Sequence, residues 1–251
     1  MSEQKILKVD GLREDVREPV KIFGEKLAED IGDNLRSLSV VGSSLTDDFR
    51  PGRSDINTVL VAGELNIDLL DILAGLGKAM GKKRIKAPIL MTPAYIEQSR
   101  DVFGIEFLDF QLIHQTILGP DPFEEMSFEK QHVRLQCERE LKATLIRLRQ
   151  GYIAAVKQKK MIQLLVASTA GGLVPMLRSM LWLKGQERPR EGKGVFERSA
   201  EVFSIEPGML IKARQWRGQK GLAERDDIIS AFASIYKTIE QLAEFVDKLE
   251  V

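Results

Sequence analysis

The chain has 251 residues, of which 37 are basic and 37 acidic, so its formal net charge is zero. With 43% apolar and 29% charged residues it has an ordinary globular composition, which excludes an intrinsically disordered chain. One cysteine, Cys137, and two histidines, His114 and His132, exclude an internal disulfide, a four-cysteine zinc site and a histidine-rich metal cage.

In the first 120 residues, short β-like runs alternate with helical patterns. Val16, Val20, Phe23, Leu27 and Ile31 recur at three- and four-residue steps, which predicts a helix within 12–31 with Pro19 as a candidate first-turn residue. Residues 35–41 read as a strand that stops at Gly42-Ser43. Arg50-Pro51-Gly52-Arg53 is a turn, and 55–61, rich in β-branched residues, a second strand. An amphipathic helix over 66–80 and a third strand over 87–91 follow. Thr92-Pro93 has the form of a helix N-cap and first residue. A fourth strand is expected over 104–111. Gly119-Pro120-Asp121-Pro122 marks a hinge.

Beyond the hinge nearly everything reads as helix. A long helix over 127–158 is expected, with Leu135, Leu141, Leu145, Leu148 and Ile153 as its apolar positions. Further helices are expected over 161–183, 195–203, 207–216 and 224–250. The fold class is therefore α+β, with an α/β domain over 1–120 and an all-helical domain over 121–251. The first carries 15 basic and 19 acidic residues and the second 22 and 18, a split too small to indicate a nucleic-acid surface.

Residues 161–177 are uncharged. They fall short of a bilayer span and contain Gln163, Gly171, Gly172 and Pro175, so a buried core helix is the expectation rather than a membrane segment. Met1 to Lys5 holds no apolar leader core, and a cytoplasmic location is expected.

The chemistry concentrates at two strand ends. A strand closes on Gly42-Ser43, and ten residues later Ser54-Asp55-Ile56-Asn57 opens the next. Residues two apart on a strand face one side, so Asp55 and Asn57 point together. Glycine lets a ligand approach the backbone, whose amides can hold phosphate oxygens, and Ser43 adds a hydroxyl.

This pattern resembles the nucleotidyltransferase superfamily related to polymerase β, above all its kanamycin-nucleotidyltransferase-like and minimal members. Their signature is Gly-Ser, about ten residues, then Asp-x-Asp, with a third carboxylate on a later strand. The likeness covers about residues 35–111. It implies transfer of a nucleoside monophosphate from an NTP to a hydroxyl of a small molecule or macromolecule, with Mg²⁺ (or Mn²⁺) held by hard oxygen ligands. Carried over by position, Gly42 and Ser43 hold phosphates, joined by Arg53 and Ser54. Asp55 bridges the metals. Asn57 stands where the pattern has its second aspartate and is a neutral, weaker ligand. Glu106 is the favoured third acid and Asp109 the alternative. The helical half then selects the acceptor or forms a homodimer. The alternative reading of the same residues is a catalytically impaired protein of this fold that binds nucleotide as a regulatory or antitoxin-like partner. A third is a helical interaction protein with a structural α/β half.

Other features have plainer readings. Arg50 flanks the turn and could reach a triphosphate. The run Lys82, Lys83, Arg84 and Lys86 reads as charge at a helix C-terminus, and Lys157, Lys159 and Lys160 as a solvated helix end. His114 reads as a hydrogen-bonded structural histidine. Cys137 is expected buried and inert, and Trp182 and Trp216 to be core or interface anchors.

Overall fold

The computed structural model describes residues 7–155, 158–217, 219 and 221–251. The expectations for Met1 to Lys5 and for Lys157 lie outside the described residues. By its contacts the chain forms two compact units. One comprises Met1–Arg100 and Phe107–Ser127, the other Asp101–Glu106 and Phe128–Val251.

The first unit is built on a mixed sheet of β1 (Leu35–Val41), β2 (Asn57–Ala62), β3 (Ile89–Met91) and β4 (His114–Leu118), in the order β3-β2-β1-β4. The β1 strand runs antiparallel to both β2 and β4, while β2 and β3 are parallel. Helix α1 (Glu14–Ile31) packs on β1 and on α2 (Ile67–Lys82), the crossover between the parallel pair. Val16, Val20, Phe23 and Leu27 are buried against Leu38, Val40 and Leu60, as the spacing in α1 requires. The Asn66 side chain accepts the Leu69 amide at 3.0 Å and starts α2. Thr92 does the same for α3 (Pro93–Gln98), taking the Tyr95 amide at 3.0 Å.

Two expectations change here. Pro19 lies inside α1 rather than at its start, which is Glu14. The wholly buried Val16 ties the earlier turn to the core, and this outweighs the one backbone bond proline cannot make. The second change matters more. Residues 104–111 form a helix, α4 (Gly104–Leu112), and the fourth strand is β4, which follows it. Short apolar runs are ambiguous between helix and strand, and pairing decides this one. Val41, Val40 and Ser39 take His114, Gln115 and Thr116 as partners, and the Ser39 and Thr116 hydroxyls meet at 2.8 Å.

The second unit contains α5 (Lys130–Ala154), α6 (Lys159–Leu183), α7 (Gly192–Phe203), α8 (Gly208–Gln215) and α9 (Arg225–Asp247). Helix α6 packs against all four others. By length and composition it could cross a membrane, yet 61% of its apolar window is buried inside the protein. In α5 the buried stripe runs through Val133, Cys137, Leu141, Leu145 and Leu148, whereas Leu135 and Ile153 face solvent, contrary to expectation. Burial and the nearby Glu106 charge push the Cys137 thiol up to about 12, so it stays protonated at neutral pH.

Candidate functional site

At the end of β1 the chain turns sharply. Gly42 has φ 74° and opens a short 3-10 turn, Gly42–Leu45, closed by the Thr46 amide on the Ser43 carbonyl at 3.2 Å. The Gly42 amide is committed to the Ile113 carbonyl at 3.1 Å, so it is not one of the donors open to a phosphate. The Ser43 side chain is half-buried. Pairing sets Asn57, Val41 and His114 in one row across β2, β1 and β4. The Asn57 Nδ2 atom lies 3.9 Å from where a Cβ on Gly42 would stand. The structure thus brings Gly42 and Asn57 together.

The turn between β1 and β2 closes through the Arg53 and Ser54 amides, both on the Arg50 carbonyl at 3.0 and 2.8 Å. The Ser54 hydroxyl accepts the Arg50 amide at 3.0 Å and so serves the turn. Arg50 and Arg53 are exposed.

Asp55 is engaged on the β3 side. Its Oδ1 accepts from Arg84 Nη2 at 2.8 Å, and its Oδ2 lies 3.4 Å from Lys86 Nζ. Arg84 also donates from Nε to the Ser54 carbonyl at 3.1 Å and from Nη2 to the Arg53 carbonyl at 2.5 Å. The backbone explains the arrangement. The Ile56 amide donates to the Arg84 carbonyl at 2.8 Å and the Lys86 amide to the Ile56 carbonyl at 3.0 Å, a parallel bridge between Ile56 and Ile85. Arg84 sits at φ 58°, a left-handed conformation uncommon outside glycine. This basic run, which reads in the sequence as a helix end, lies against Asp55 through Arg84 and Lys86. The available signal was its place just before the strand that a short crossover lays parallel to β2.

At the other end of the Asn57–Val41–His114 row, His114 shares one ring nitrogen with the Phe110 carbonyl at 2.8 Å and the other with Asp121 at 2.7 Å, its ring edge-on to Phe123. Burial disfavours the Asp121 charge. The His114 ring, the Phe123 amide and the Thr116 hydroxyl outweigh it and hold the carboxyl below its usual range. This is the structural histidine the sequence suggests.

The two candidate third acids stand on α4, not on a strand. Three residues apart on a helix, they need not face opposite sides. Glu106 belongs to the second unit, where its Oε2 accepts from Gln136 Nε2 at 2.9 Å. There it lines a cavity of about 350 Å³ with Glu140, Thr144, Arg147, Ser168 and Thr169. Arg147 Nη2 donates to the Thr144 hydroxyl at 2.6 Å and lies 3.7 Å from Glu140. Asp109 falls in the first unit, its carbonyl accepting the Ile113 amide at 2.9 Å.

Among the described residues no group of three His, Cys, Asp or Glu is placed to hold a metal ion. The Asp55–Asn57 stretch offers one carboxylate, already ion-paired through both oxygens, and one neutral amide. That is not the acid-rich oxygen set that a pair of Mg²⁺ ions takes.

No protein-family model matches the chain, and no curated protein matches it. Among solved structures the fold is similar to a crystal structure of the spectinomycin adenyltransferase AAD(9) from Enterococcus faecialis with ATP and spectinomycin. The TM-score is 0.57 at 12% identity, over 92% of this chain and 99% of that one. At this identity the likeness shows the fold alone: a mixed sheet with flanking helices and a helical unit.

Proposed function

We propose that this chain is a nucleotide-binding protein of the nucleotidyltransferase fold whose metal-dependent transfer centre is impaired. The triphosphate would lie beside the turn at Ser43 and the exposed arginines of the 50–53 turn. The helical unit would serve regulation or a partner. One observation carries the reading: the Asp55 carboxylate is held by Arg84 and Lys86, and its strand neighbour Asn57 brings no charge. A cytoplasmic setting and a homodimer belong to the same proposal. ATP or GTP should raise the melting temperature of the whole chain, because a ligand that binds only the folded state stabilises it. No shift at millimolar nucleotide would sink the reading.

A second reading is Mg²⁺-dependent transfer of a nucleoside monophosphate from an NTP to an acceptor hydroxyl, with Asp55 as metal ligand and Glu106 or Asp109 as further acids. It is favoured by the extent of the fold shared with the spectinomycin adenyltransferase solved with ATP and spectinomycin. Transfer of label from an α-labelled NTP, abolished in Asp55→Ala, would select this reading over the first.

A further inference from the structure

The ion pairs on Asp55 suggest how phosphate charge is balanced in this chain. Arg84 is fixed from three sides, by the Arg53 and Ser54 carbonyls and by Asp55. Its Nη1 donors have no partner among the described residues, and its side chain is 42% exposed. Lys86 is 53% exposed and touches Asp55 at 3.4 Å, longer than a tight pair. One carboxylate thus anchors two cations, and the cluster keeps a positive charge facing solvent. Lys82, Lys83, Arg50 and Arg53 are exposed on the same stretch of the first unit. Asp15, which shares a small cavity with Lys83 and Arg84, is itself paired with Arg13 at 2.7 Å.

A divalent cation would have to displace both basic groups from Asp55 and then sit beside them, with Asn57 adding no charge in return. A phosphate oxygen meets only the single Asp55 charge against two cations. It meets a preorganised guanidinium and an ammonium already held in place, the pairing in which charge-assisted hydrogen bonds are strongest. We infer that Arg84 and Lys86, anchored on Asp55, bind the phosphates of a polyphosphate ligand directly, so that binding needs no divalent cation. Asp55 is then a counter-charge beside two phosphate-binding side chains, and Arg84 keeps its place on the Arg53 and Ser54 carbonyls without it. That the polyphosphate belongs to a nucleotide rests on the function proposed above.

The test is calorimetric titration of the full chain with ATP and with inorganic tripolyphosphate, each in EDTA and in Mg²⁺. Asp55→Asn and Lys86→Gln are compared with the parent, and far-UV circular dichroism and the ligand-free melting temperature confirm that each is folded. The expected result is binding of equal strength in EDTA and Mg²⁺, weakened about fivefold to tenfold in Lys86→Gln. Asp55→Asn decides by sign. Removing a negative charge beside two phosphate-binding cations should leave affinity unchanged or raise it a few-fold, whereas a metal centre on Asp55 would lose binding. Binding seen only with Mg²⁺, binding lost in Asp55→Asn, or an unchanged Lys86→Gln would each overturn the inference. The two proposals fail differently. ATP that binds only with Mg²⁺ sinks this inference and leaves nucleotide binding standing. Tripolyphosphate that binds in EDTA as well as ATP does sinks the nucleotide and leaves the anion site. No binding of either probe sinks both.

Discussion

The two ends of the Asn57–Val41–His114 row are built to opposite specifications. At the β4 end, His114 is 14% exposed in its side chain, packs on Phe123, and has a partner on each ring nitrogen. At the β2 end, Asp55, Arg84 and Lys86 are from a third to just over half exposed and hold one another through charge. Exposed pairs contribute little to stability, on the order of 0–1 kcal/mol. Partners in such pairs can therefore be re-dealt to a ligand at small cost, whereas the His114 ring, enclosed by Phe123 and held at both nitrogens, cannot. The difference separates a histidine that shapes the fold from an aspartate that organises a surface able to bind.

Substitutions can break or sharpen this contrast. The largest effect is expected at Gly119, just after β4. It has φ 76°, and an added Cβ would meet the Arg36 carbonyl oxygen at 2.0 Å. Gly119→Ala should cost on the order of 3 kcal/mol or prevent folding, measured by urea denaturation. His114→Ala should cost about 1–2 kcal/mol by the same measurement, since it removes the ring's hydrogen bonds to the Phe110 carbonyl and Asp121 and its packing on Phe123. A loss under about 0.5 kcal/mol would erase the distinction between the two ends.

Next comes a pH effect. The Asp121 carboxyl is held below its unfolded value of 3.8, so its stabilisation is present above that pH and is lost as pH falls through the lower folded value. The parent should lose stability as acid is added below about pH 4. Asp121→Asn should start less stable and flatten that part of the profile, followed by melting temperature against pH.

Smaller effects belong to the β2 end. Gly42→Ala keeps free space, with Asn57 Nδ2 at 3.9 Å, but pays for φ 74°. A cost of about 1–2 kcal/mol is expected, with the fold retained. Asp55→Asn should change stability by less than about 1 kcal/mol. A larger loss would mean that the Arg84 clamp is structural and the two ends are alike.

Much of the architecture was legible in the residues. The apolar spacing of α1, the Thr92 cap and the glycine at 42 each rest on local physics that a neighbour-by-neighbour reading captures, whereas α2 buries Leu69, Leu73 and Met80 and exposes Ile67 and Leu70. The failures share another cause. Residues 104–111 are apolar enough for either strand or helix, and only the pairing of β1 with His114–Leu118 resolves them. Glu106 and Asp109 were placed on a strand for that reason, and their roles as third acids remain proposals. The basic run at 82–86 looked like dipole compensation at a helix end. Its contact with Asp55 spans about thirty residues and depends on a parallel crossover, which no local pattern records.

By itself the sequence determined the helices outside residues 104–112, the strands β1, β2 and β3, the turn at Gly42-Ser43 and the absence of a second acid at position 57. These follow from periodicity, backbone freedom and side-chain chemistry, all short-range. The tertiary structure decided who balances the charge on Asp55, because ion pairing depends on distance in space. The left-handed turn at Arg84 and the β2–β3 bridge bring Arg84 and Lys86 to that carboxylate.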